Sequence, residues 1–125
     1  MSLTNLFRLH ALLAALYAVA LIAVPVAIIG ILSPHPLSPV ATDITRLFGA
    51  ALVLIAFIAW GASRLTDRAA RRLIARALLI YTVLGLIIAL VGQLAGHWGP
   101  LGWTNSLTYL LVAVGYSYFL FLRPE

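Results

Sequence analysis

The sequence has no cysteine, no lysine, one methionine and three acidic residues, and charged residues of any kind make up 9% of its 125 positions. Without cysteine there is no disulfide framework, no thiolate-held zinc or iron–sulfur centre and no paired-thiol redox chemistry. Asp43, Asp67 and Glu125 are the whole acidic complement, which all but excludes paired-carboxylate catalysis and a carboxylate metal cage. What fills the chain instead is apolar: 64% of residues are hydrophobic and the mean hydropathy is +1.11. A soluble domain carries about a quarter charged residues, so this composition belongs in a bilayer.

Crossing the hydrocarbon core takes about 20 apolar residues at about 1.5 Å each. The uncharged run from Leu9 to Leu32 exceeds that length, and further apolar helices follow it, so it reads as a span rather than a cleaved leader. Pro34, Pro36 and Pro39 stop this helix, and Thr42 or Asp43 can cap the next. A third helix is expected to start near Thr66 as its cap, and a fourth near Thr104 or Asn105, after the breaking run Gly96-His97-Trp98-Gly99-Pro100-Leu101-Gly102. The expected fold is all-α: a polytopic membrane protein whose single domain, 1–125, is an up-down bundle of four transmembrane helices at about 6–32, 42–64, 67–95 and 104–122. Pro25 should kink the first of them.

Short loops rich in arginine stay on the cytoplasmic side. Arg8, Arg64, Arg68, Arg71, Arg72, Arg76 and Arg123 fall at helix ends assigned to one side, while 33–41 and 96–104 carry no charge. The expected location is therefore a bacterial inner membrane, multi-pass, with both termini cytoplasmic. The net charge of +5 is thereby accounted for by topology, and no nucleic-acid partner is expected. Trp98 and Trp103 fit an interfacial aromatic belt.

Several residues recur 62 positions apart: Gly30 and Gly92, His35 and His97, Thr42 and Thr104, Asp43 and Asn105. Two spans per unit would make the copies parallel hairpins. The remaining agreement is only apolar against apolar, so duplication stays one of two open readings.

Polar residues near membrane depth are functional candidates, because burying them unpaired costs several kcal/mol. His35, Asp43, Arg46, Gln93, His97 and Asn105 gather on the uncharged-loop side. On a structural account Asp43 and Asn105 are caps, and Arg46 pairs with Asp43 or snorkels to headgroups. On a functional account they form a small pocket in which Arg46 binds an anionic or carbonyl-bearing group, with Gln93 or a histidine adding a hydrogen bond. His10 is the sole histidine within an apolar run and could ligate a tetrapyrrole, although it needs no ligand near an interface. The cofactor-binding candidates are thus His10, Arg46, Gln93 and His97, for a bound quinone, pigment or lipid; no metal site is expected. Arg64, Arg68, Arg71, Arg72 and Arg76 have helical spacing suited to anionic lipid headgroups. Tyr116, Tyr118, Phe119 and Phe121 form an aromatic cluster, either an interfacial belt or a contact for a partner. Ala11/Ala15, Ala14/Ala18, Gly85/Ala89 and Gly92/Gly96 are small pairs that let helices approach closely.

The four-span plan, with Arg46-Leu47-Phe48-Gly49 opening helix 2 and Gly102-Trp103-Thr104-Asn105 opening helix 4, resembles small bacterial four-helix membrane proteins of the DoxX-like kind. The resemblance implies the same bundle and carries over no catalytic residue. With no acid, nucleophile or ligand cluster evident in the spans, the first expectation is a non-catalytic subunit that packs against a larger respiratory or photosynthetic membrane complex and stabilises it. The second is a binding protein, or small oxidoreductase partner, for a quinone-like lipophile on the uncharged-loop side. A small transporter or channel is the third, disfavoured by the lack of intramembrane ionisable groups.

Overall fold

The computed structural model describes residues 1–124 as a helical bundle with no strand among them. Five α-helices are present: α1 Leu3–Ala23, α2 Pro25–Leu32, α3 Pro39–Ala62, α4 Arg68–Leu94 and α5 Trp103–Ser117. A 3₁₀ turn, Pro100–Gly102, leads into α5, and a π turn, Tyr118–Leu122, ends it. Four segments, Leu3–Ala23, Pro39–Ala62, Arg68–Leu94 and Pro100–Leu122, are long and apolar enough to cross a membrane.

Pro25 does more than kink the first span. It has no N–H to continue the ladder, and Val24 leaves helical geometry altogether (φ −136°, ψ 55°), so α1 and α2 are separate helices. The helix starts also differ from the expected caps. Ser38, not Thr42 or Asp43, caps α3: its hydroxyl accepts from the Ala41 N–H, and Pro39 sits at the first helical position, where a missing N–H costs nothing. Asp67 rather than Thr66 caps α4, accepting from the Ala69 and Ala70 N–H groups. Neither Thr104 nor Asn105 caps α5, because the 3₁₀ turn already supplies its first carbonyls and the Thr104 hydroxyl donates back to Leu101 O. Gly96 ends α4 with φ +82°, a conformation suited to glycine; the Gly96 N–H donates to Gln93 O and the His97 N–H to Gly92 O.

The chain is organised as two hairpins. α1 packs along α3 and α4 along α5, while α3 meets α4, and α1 meets α5, far less. Small residues make the first hairpin close: Ala11, Ala14 and Ala18 are buried on α1, and Gly49 of α3 faces Ile22 and the Ala18 carbonyl. The hairpins share a core at the arginine end, where Phe7, Ala59, Ala75, Leu78, Val112 and Tyr116 pack together. Toward the opposite end the buried core shrinks to Ala18, Leu21 and Leu52, with partly buried neighbours. The two halves share the hairpin plan but not its detail, since the position 62 residues after Val24 is Leu86, within the unbroken α4.

Candidate functional site

Where the shared core thins, the hairpins enclose a cavity of about 550 Å³. Its walls come from every helix: Tyr17 and Leu21 of α1, Ile29 and Leu32 of α2, Thr45 and Phe48 of α3, Tyr81, Gly85 and Ala89 of α4, Trp98 of the loop, and Asn105 and Tyr109 of α5. Two glycines admit the aromatic part of this lining. The Tyr109 ring lies on the backbone of Gly85, and the Trp98 indole on that of Gly92, where a Cβ would stand 2.8 Å from its Nε1.

At its arginine-end side the cavity adjoins a neck of about 50 Å³ that reaches His10 and shares Tyr17, Phe48, Tyr81, Asn105 and Tyr109 with it. Polar groups from three helices converge here. His10 Nδ1 and the Tyr116 hydroxyl share a buried hydrogen bond of 2.9 Å, the Tyr81 ring stacks on the imidazole (centroids 6.3 Å apart, planes at 19°), and the Tyr81 and Tyr109 hydroxyls are 3.3 Å apart. The Asn105 amide makes no side-chain hydrogen bond within the described residues. All of these groups are uncharged in their ordinary forms, and no arginine or carboxylate lines the cavity or its neck. The site can therefore present hydrogen-bond donors and acceptors to a neutral molecule inside an otherwise apolar chamber.

Of the four cofactor-binding residues expected from sequence, the structure places His10 alone at this site. Arg46 is exposed on α3, lines neither cavity and makes no ion pair with Asp43. Gln93 is half engaged: its Nε2 donates to Gly99 O (3.0 Å) and Trp98 O (3.4 Å), pinning the loop that carries Trp98, while its buried Oε1 has no partner among the described residues. His97 is exposed, and its carbonyl accepts a 2.6 Å hydrogen bond from the Ser33 hydroxyl. Tyr17, Tyr81 and Tyr109 were missed. An aromatic belt places tyrosines at span ends, so tyrosines well inside apolar runs were the available signal.

Two other expectations are corrected. Tyr116 is fully buried and Phe119 is 7% exposed, so both belong to this chain's own core; Tyr118 (39%) and Phe121 (69%) remain at the surface. Arg71 is half-buried and engaged with the chain itself. Its guanidinium donates to Ala62 O, Leu65 O and the Thr4 hydroxyl and lies over the Phe7 ring at 5.5 Å, thereby capping the carbonyl end of α3. Arg64 lies over Trp60, Arg76 is exposed, and Arg68 and Arg72 line, together with Arg71, a separate concavity at the arginine end.

No curated protein and no solved structure matches the chain. A family described as a domain of unknown function, DUF8292, matches residues 1–122. Together with the four-span bundle, that match over nearly the whole length makes the chain a member of the DUF8292 family.

Proposed function

We propose that the protein is a membrane-embedded binding protein for a neutral, quinone-like lipophile, held in the cavity between the two hairpins. One observation carries the reading. An apolar, aromatic chamber of about 550 Å³ ends in uncharged hydrogen-bonding groups from different helices, Tyr81, Tyr109 and Asn105. This volume lies within the roughly 300–1,000 Å³ of small-molecule sites, and a few placed polar groups in an apolar lining are what fix a ligand's orientation. Tyr81 and Tyr109 share one hydrogen bond and retain one O–H between them for a ligand acceptor; Asn105 adds both a donor and an acceptor. The role is retention and orientation, without a bond being made or broken.

The arginine-rich end belongs to the cytoplasmic side of a bacterial inner membrane by the positive-inside rule. Arg64, Arg68, Arg72 and Arg76 then lie at the level of anionic headgroups, each contributing about 1 kcal/mol near such a surface. An accessory role beside a larger respiratory or photosynthetic complex has less support, because only Tyr118 and Phe121 of the aromatic cluster are available to a neighbour.

The test is extraction of lipophiles from protein purified in mild detergent, parent beside Tyr81→Phe/Tyr109→Phe. The parent should carry a defined neutral lipophile that the double variant has lost while melting at a similar temperature. Equal content in both would contradict the assignment of the head-binding groups.

A further inference from the structure

Four residues of the cavity lining are exposed: Ile44 and Phe48 of α3, at 60% and 41%, and Leu84 and Ile88 of α4, at 55% and 72%. The rest are buried or half-buried. The opening therefore lies between α3 and α4, two neighbours that touch little, and its exposed rim residues are all apolar. At the end away from the arginines two segments are strapped together over the cavity. There the Ser33 hydroxyl donates to His97 O, the Gly99 N–H donates to Leu32 O at 2.8 Å, and His35 Nε2 stands 3.3 Å from Gly96 O. Leu32 and Trp98, on the two strapped segments, form the wall beneath.

We infer that the cavity is loaded sideways from the bilayer through the α3–α4 window, and that its ligand is an uncharged lipid with one hydrogen-bonding head and a chain left outside among the acyl tails. This rests on the binding reading above. The window excludes charge, because a charged head would cross an apolar rim and meet no counter-charge inside. Length makes the chain stay out. Tyr81 and Ala89 are separated by roughly 12 Å of helix, whereas half of the hydrocarbon core is about 15 Å deep, so a leaflet-length chain and a head cannot both fit. A water-soluble compound of the same head chemistry has no chain to concentrate it at the window, and the strapped loops stand over the aqueous side.

The probe is a benzoquinone ring carrying a decyl chain, partitioned into neutral phosphatidylcholine vesicles holding the full chain with Trp60→Phe and Trp103→Phe, which leaves Trp98 as the reporter. Saturable quenching of Trp98 should slow about tenfold with Leu84→Phe/Ile88→Phe and accelerate with Leu84→Ala/Ile88→Ala, while Ser33→Ala stays within about twofold. The same ring bearing only a methyl group, added from water, should need a far higher total concentration to saturate, because it partitions weakly into the bilayer that feeds the window. Acceleration by Ser33→Ala with no response to either window pair would overturn the sideways route and leave binding intact. Absence of saturable quenching in the parent would instead remove the binding reading, and this inference with it.

Discussion

The ring of Tyr109 on α5 rests directly on the backbone of Gly85 on α4, close enough that a Cβ at residue 85 would stand 2.7 Å from the ring's Cζ. This contact sets where the Tyr109 hydroxyl meets that of Tyr81, and so shapes the floor of the cavity.

Gly85→Ala should therefore lower stability by about 1–3 kcal/mol, as overpacking does, and weaken lipophile retention. Gly30→Ala provides the contrast. Nothing lies within 4 Å of a Cβ there, and α2 is helical at that position, so alanine should be neutral or stabilise by up to about 1 kcal/mol. Thermal melting of the two variants in one detergent checks the pair.

The hydrogen bond between His10 and Tyr116 joins α1 to α5 within the shared core. Interhelical side-chain bonds in bilayers average about 0.6 kcal/mol and reach about 1.7. A double-mutant cycle of His10→Leu and Tyr116→Phe should give a coupling in that range, toward its upper end because both groups are buried. A coupling indistinguishable from zero would mean that the two residues contribute by packing alone.

Arg71 and Arg76 look equivalent in sequence but should behave differently. Arg71→Ala removes the guanidinium hydrogen bonds to Ala62 O, Leu65 O and the Thr4 hydroxyl and a cation–π contact and should cost about 1.5–3 kcal/mol. Arg76 is exposed, and its replacement by alanine should stay within about 0.5 kcal/mol. Denaturation of both variants beside the parent measures the difference.

The absence of cysteine makes topology directly readable. Single cysteines at Ser38 and Gly99 should react with an impermeant thiol reagent applied to intact cells, and one at Ala69 should not. A Cβ at Gly99 meets only an ordinary contact, with Leu32 O at 3.5 Å, so the probe itself is tolerated. Labelling at Ala69 would reverse the proposed orientation.

The four-span plan was legible because length and hydropathy alone decide it: proline clusters and charge-free runs mark where the helices end. Helix starts were less so. Asp67 stands next to Thr66, which is equally able to cap, and Ser38 lies a turn before Thr42 and Asp43, so the choice depends on where the backbone first turns helical. The site was mostly illegible for a related reason. Polarity drew attention to Arg46, Gln93 and His97, but one is exposed on α3 and the other two serve the loop. Tyr17, Tyr81 and Tyr109 are scattered through apolar runs, and only the packing of three helices brings them around one cavity. The partner reading of Tyr116 and Phe119 failed likewise, since a helix carrying apolar groups on several sides does not say which side its own bundle buries.

Native mass spectrometry of the protein released from its own membrane in mild detergent tests the central claim most directly. The account predicts one neutral adduct per chain, lost when Ala89→Phe fills the cavity while the protein remains folded. A chain without adduct that travels as a stoichiometric part of a large complex would contradict it and return the accessory-subunit reading to first place.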